Sequence, residues 1–220
     1  MLRVLASSLP EIRDSFIRAL SLEKIEDNEI ATMYRKGEWI FLALHMPLSL
    51  DIVEWIAATY LPERAYFPYF GYSIDMVHEI GDVIVPNVFL PYEQSLDKTE
   101  ITKENRDALV RDPRFLETLA EQKDYYVEDF GLSIGGIVVD EAPVDPSDDL
   151  MGKMMLAYEG DIYVSENSTI ALDAVIDDQV PSLILAGIVR GKAHPKHEGV
   201  NPQDLAARNM ITTIRLMEEE

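Results

Sequence analysis

The chain contains no cysteine. Disulfides, thiolate metal sites and a cysteine nucleophile are therefore excluded. Basic residues are scarce: 19 Lys and Arg stand against 40 Asp and Glu, a formal net charge of -21. Phosphate backbones and anionic membrane surfaces attract clustered cations, so neither nucleic acid nor a membrane is an expected partner. The acidity bears on solubility or a salty surrounding, not on fold. No apolar run approaches the ~20 residues that span a bilayer, and MLRVLASSLPEIRD has no signal-type apolar core, so a cytoplasmic protein is expected. There is no Gly-x-Ser-x-Gly nucleophile elbow and no Walker-type phosphate loop. No internal repeat or linker interrupts the chain.

What is present suffices for one core. With 220 residues and 47% hydrophobic content, a single domain over 1–220 is expected. Short apolar strands alternate with helical patterns. Leu2 to Ala6 reads as a first strand, and Ser8-Leu9-Pro10-Glu11 has capping-box spacing at the start of a helix. Ile30 to Arg35 and Glu38 to His45 read as strands joined at Lys36-Gly37. Ser49 is the expected cap of a helix over Leu50 to Tyr60. Arg64 to Phe70 is a further strand, and Gly81-Asp82 a turn feeding another. Pro113 to Gln122 and Pro146 to Tyr158 read as helices, Tyr125 to Phe130 and Ile134 to Val139 as strands. Asp161 to Val164, a helix from Ser165 and the apolar run Ser182 to Val189 read as a βαβ unit with adjacent parallel strands. Asn201-Pro202 opens a last helix. In such sheets ligands sit beyond the carboxyl ends of strands, which directs attention to Ser165, Glu166 and Asn167 after one strand and Arg190 after the other.

Several of these stretches resemble the nucleoside phosphorylase and nucleosidase family. Ile80-Gly81-Asp82-Val83-Ile84-Val85-Pro86 is similar to its Val-Gly-Asp-Val-Val signature. Val164-Ser165-Glu166-Asn167-Ser168 stands where that family has a Met-Glu motif, and Val180-Pro181 matches its Val-Pro. The resemblance implies an α/β fold: a three-layer sandwich whose mixed, partly barrel-like central sheet is flanked by helices. It also implies a nucleoside-like ligand, no cofactor and a homo-oligomer.

The same resemblance assigns roles to individual residues. Counting back from Val180-Pro181 puts Asn167 at the position of the sugar-binding glutamate, with Glu166 one residue earlier. Arg190 stands at the position of the leaving-group acid. Arginine stays protonated and cannot cycle a proton, so an anion-holding or Glu166-pairing role is implied for it. Glu11 falls in the acidic cluster after the first strand, and as a cap carboxylate it has a second reading. Gly71 and Ser73 stand in the family's Gly-Ser-Ala-Gly-Gly loop, and Glu141 stands in its Gly-Asp-x-Phe stretch. His45-Met46-Pro47-Leu48-Ser49 replaces its Gly-Met-Gly segment, so phosphate remains an option as co-substrate without its glycine cradle. His194 is a substitute acid or an exposed loop histidine. His194-x-x-His197 as a metal pair lacks a third ligand, and no metal is expected.

N-glycosidic cleavage builds positive charge on the sugar and negative charge on the base. A carboxylate near the sugar and a proton donor near the leaving group suit it. Two functions remain open: a divergent N-glycosidic hydrolase or phosphorylase, and a noncatalytic member that binds a nucleoside-like ligand or serves assembly. The first requires Asn167 and Arg190 to face one cleft, with Ser165 beside them.

Overall fold

The computed structural model describes residues 2–62, 64–73, 78–92, 130–140, 162–165, 182–190 and 199–218. In chain order they form β1 (Arg3–Ser7), α1 (Pro10–Leu20), β2 (Glu23–Asp27), β3 (Ala31–Lys36), β4 (Trp39–Leu44), α2 (Leu50–Tyr60), β5 (Ala65–Ser73), β6 (Val83–Tyr92), β7 (Leu132–Asp140), β8 (Ile162–Ser165), β9 (Ser182–Arg190) and α3 (Pro202–Glu218). The strands make one nine-stranded mixed sheet in the order β2-β3-β4-β1-β5-β8-β7-β6-β9, and a further β5–β9 pairing closes its second half into a ring. This is the expected three-layer α/β architecture with a partly barrel-like centre.

Strand periodicity explains the layers. Leu5 and Phe41 face one side, with Leu183, Leu185 and Val83, and there they meet Ile12 and Phe16 of α1 and Ala207, Met210 and Ile214 of α3. Val4, Ile40 and Leu42 face the other side, with Ile184 and Ala186, against Ile52, Val53 and Ile56 of α2. A strand covered on both faces reads as a continuous apolar run, as Trp39–Leu44 does, with every residue buried. Each fully buried Leu, Ile or Phe contributes about 1.5–3 kcal/mol from water exclusion, enough to dock helices whose isolated stability is marginal. Arg18 of α1 adds a 2.6 Å ion pair to Asp204 of α3. Trp39 has Arg3 5.0 Å and Arg215 5.7 Å from its ring centroid, which adds cation–π attraction.

Several boundaries differ from the sequence reading. β2 is absent from it, because all five of its residues are exposed and no buried alternation marks the strand. The capping box does not form: α1 starts at Pro10, its N-cap is Leu9, and no side chain caps it. Proline's fixed φ sets the start of the helix, and Ser7 Oγ instead accepts the Leu9 N–H at 3.2 Å. Ser49 occupies the N-cap of α2 without a side-chain bond. β6 runs through Pro86 to Tyr92, with a register shift between Pro86 and Val88, as expected where proline supplies no N–H to the ladder.

β8 and β9 are not the adjacent parallel strands of a βαβ unit. β9 pairs parallel with β5 from Ala65 to Tyr72, and β8 pairs antiparallel with β5 at Tyr72 and Ser73. They therefore lie on opposite flanks of β5 and run in opposite senses. A nine-residue apolar strand finds more pairing along β5 than a four-residue strand offers. The expected helices 113–122 and 146–158, the strand from Tyr125 (apart from Phe130) and the helix after Ser165 lie outside the described residues. Among those described, no helix is long and apolar enough to cross a membrane.

One position carries avoidable strain. Leu61, just past α2, has φ 45° and ψ 48° and is 82% exposed, while its N–H bonds to Ala57 O. Left-handed backbone costs an L-residue roughly 1–2 kcal/mol, and glycine's larger unfolded-state entropy offsets about 0.4–1 of that. Leu61→Gly is thus expected to stabilise the protein by about 0.5–1 kcal/mol, read as a higher urea midpoint at unchanged slope. A lower midpoint would show that the Leu61 side chain contributes packing.

Candidate functional site at the ends of β1, β4 and β8

β5 changes neighbours along one flank. It is in register with β1 at Ala65 and Tyr66, and with β8 at Tyr72 and Ser73, while β9 occupies the other flank throughout. β1 runs with β5 and β8 against it, so their carboxyl ends face each other. Continuing the two registers puts Ser7 level with Pro68 and Ser165 level with Phe70, about 7 Å apart along the strand. Here a central strand is locally an edge, which suits Pro68. Gly71, buried, sits at the register shift between Gly71 and Tyr72. A change of neighbour of this kind is where open α/β sheets bind ligands.

Beside this point, a cleft of about 80 Å³ opens at the carboxyl ends of β1 and β4. Its walls include Ser7 and Ser8 at the end of β1, Pro10 and Arg13 of α1, Thr32 of β3, and His45 just after β4. α1 has no side-chain cap, so the Glu11 and Ile12 amides, the first the helix can offer after Pro10, have no acceptor within it. Arg13 Nε donates to Asp14 Oδ1 at 2.7 Å. In a chain of net charge -21, the cleft is bounded by an arginine, a histidine and a positive helix end.

His45 is placed by three strands. Asp27 of β2 is in register with Thr32 of β3, and Thr32 with Ala43 of β4. Thr32 Oγ1 donates to Asp27 Oδ1 at 2.8 Å. His45 Nε2 lies 3.1 Å from Thr32 Oγ1 and 3.5 Å from Asp27 Oδ1. The Lys24 ammonium, 2.6 Å away, and then the Thr32 hydroxyl hold the Asp27 carboxyl below the ordinary carboxylate range. Asp27 is thus an anion at neutral pH beside the imidazole.

The other expected site residues are distributed as follows. Glu11 is exposed in the first turn of α1 and is not among the residues lining the cleft. Ser73 is the buried last residue of β5. Arg190 ends β9, exposed, in register with Tyr72, the residue whose opposite flank carries Tyr163. Ser165 is the last residue of β8. Glu141, Glu166, Asn167 and His194 lie outside the described residues, as does His197. The sequence reading missed Arg13, Thr32 and Asp27. Arg13 was reachable, one turn beyond Pro10; Asp27 and Thr32 were not, since their alignment depends on the unmarked strand β2. Among the described residues, no group of three or more His, Asp or Glu side chains is arranged to hold a metal ion.

No protein-family model matches the chain, and neither does any curated protein. Solved structures do match. A futalosine hydrolase mutant of Helicobacter pylori superposes with a TM-score of 0.65 at 10% identity, over 99% of this chain and 98% of that one. The 5'-methylthioadenosine/S-adenosylhomocysteine nucleosidase of Neisseria meningitidis, in complex with methylthio-immucillin-A, gives 0.66 at 12% identity over 98% and 97%. The S-adenosylhomocysteine nucleosidase of Streptococcus pyogenes, in complex with 5-methylthiotubericidin, gives 0.64 at 13% over 100% and 96%. The chain therefore has the fold of the nucleosidases. At these identities the likeness establishes the fold, and the expected resemblance holds at that level.

Proposed function

We propose that this protein hydrolyses the N-glycosidic bond of a nucleoside-like ligand bound where β1, β4 and β8 end along β5. The observation that carries the reading is the approach of the carboxyl ends of β1 and β8 along one flank of β5, beside a polar cleft. The nucleosidase fold supports it, because the fold's solved examples include complexes with nucleoside analogues. In this reading Glu166 and Asn167 meet the sugar, Ser165 and Ser73 border it, Arg190 holds an anionic group, and Glu141 and His194 approach the base.

Hydrolysis is favoured over phosphorolysis by the segment after β4. Backbone amides that would cradle a phosphate are limited there, since Pro47 has no N–H and the His45 N–H donates to Ile30 O at 2.9 Å. No cofactor is required. A cytoplasmic homo-oligomer, each chain a single domain over 1–220, completes the proposal.

The second reading, a noncatalytic ligand-binding or assembly protein, draws on a specific observation: Glu11 lies off the cleft and an arginine ends β9. The two are separated by incubating the protein with purine and pyrimidine nucleosides, with and without phosphate, and measuring free base. Base release independent of phosphate is the expected result. A ligand-induced rise in Tm without release would favour the binding role, and neither effect would leave assembly alone.

A further inference from the structure

We infer that His45, oriented by Asp27 and Thr32, is the base that activates the hydrolytic water, a role resting on the hydrolase reading above. His45 is one wall of the cleft, and its Nε2 is already engaged by Thr32 Oγ1 at 3.1 Å and Asp27 Oδ1 at 3.5 Å. Among the described residues Nδ1 has no hydrogen-bond partner, so it is the nitrogen left for an occupant of the cleft. A carboxylate beside Nε2 favours the tautomer with its proton there and its lone pair on Nδ1.

The size of the cleft fits the same occupant. At about 80 Å³ it has room for a few water molecules. Ser7 and Ser8 supply hydroxyls able to hold a water or a nascent hydroxide. Arg13, whose Nε donates to Asp14 Oδ1 at 2.7 Å, is a further wall of the cleft. Glu11, which the sequence suggested for this end of β1, is outside the cleft lining and leaves the role open.

The step balances as follows. Nδ1 of His45 accepts a proton from the water, and the water oxygen forms a bond to C1′ of the sugar. The bond from C1′ to the base nitrogen breaks, its electron pair departs with the base, and solvent supplies the base with a proton. The imidazolium then returns its proton to solvent, leaving free sugar and free base. Asp27 is outside the cleft lining and Thr32 is one of its walls; both act through the imidazole, as positioning residues.

The test uses the full-length protein and the nucleoside that the wild type cleaves fastest. His45→Gln is expected to lower kcat about a hundredfold, the lower end of general-base contributions, with KM within threefold. Asp27→Asn should lower kcat about tenfold by releasing the ring. In His45→Ala, imidazole added to the buffer should restore part of kcat, which a merely structural loss would not permit. Wild-type kcat in His45→Gln, a loss confined to KM, or a loss that imidazole leaves unrestored would each overturn the assignment while the hydrolase reading stands. No base release by the wild type from any nucleoside overturns both. His45 is exposed, so neither variant is expected to unfold.

Discussion

Asp82→Ala is expected to lower the unfolding free energy by about 4 kcal/mol, because its carboxylate accepts two backbone hydrogen bonds and bonds to a charged group contribute about 1.5–3 kcal/mol each. Asp82 is 8% exposed. Its Oδ2 accepts the Glu79 N–H at 2.8 Å, and its Oδ1 accepts the Gly131 N–H at 2.7 Å. The second bond crosses 49 residues and joins the entries of β6 and β7. Gly131 is required for that approach, since a Cβ there would stand 2.8 Å from the carboxylate. The backbone around Asp82 is tied just as firmly. Gly81 N–H donates to Ile188 O, Ile188 N–H to Asp82 O, and Asn209 Nδ2 of α3 to Gly81 O at 2.7 Å. His78 Nδ1 lies 3.9 Å from Oδ2.

For a chain of this size, 4 kcal/mol corresponds to a Tm lower by about 8–16 °C. Asp82→Asn should recover only part of the loss, because its amide NH2 meets an N–H donor in place of an acceptor. Urea unfolding of both variants checks this, with Asp51→Ala on the exposed face of α2 as a control. A loss below 1 kcal/mol for Asp82→Ala would show that water replaces the carboxylate. The motif that most resembles nucleosidases thus acts here as a structural knot, in keeping with the turn read from the sequence.

The second large effect is expected at Phe16. Its side chain is fully buried between α1 and the sheet, and its ring centroid is 5.7 Å from that of Phe41. Phe16→Ala should cost about 3–5 kcal/mol, combining lost water exclusion, the cavity left behind and the aromatic pair. The consequence reaches the candidate site, because α1 carries Pro10 and Arg13 into the cleft and anchors α3 through Arg18–Asp204. Phe16→Leu, which refills most of the volume, should lose about half as much or less. Equal losses in both variants would place the cost in the aromatic contact and not in volume.

Particular residues show which features were legible. Phe41, Leu42 and their neighbours declared a central strand, since a run with no polar position has no face to give to water. α2 was bounded correctly by Ser49 and Tyr60, and Asn201 Oδ1 accepts the Gln203 N–H at 2.9 Å, as its place before Pro202 suggested. β2 gave no signal because an edge strand needs no apolar face. Ser8 and Glu11 had the letters of a capping box, yet the fixed φ of Pro10 moved the cap to Leu9, which has no side-chain oxygen.

The neighbour order of the strands was the decisive gap. Ile162–Ser165 and Ser182–Arg190 are close in number and both apolar, which invites a parallel pair, yet β5 lies between them. Pairing is settled by competition among strands for partners, a property of the whole sheet that no local stretch encodes.

By itself the amino-acid sequence determined the class of this protein. The absence of cysteine excludes disulfides, and the alternating apolar periods call for an apolar α/β core in an acidic chain, because composition and periodicity act on each residue alone. The tertiary structure alone decided which side chains meet. Asp27, Thr32 and His45 become neighbours only when three strands align, and the ends of β1 and β8 approach each other only because β5 exchanges one neighbour for another.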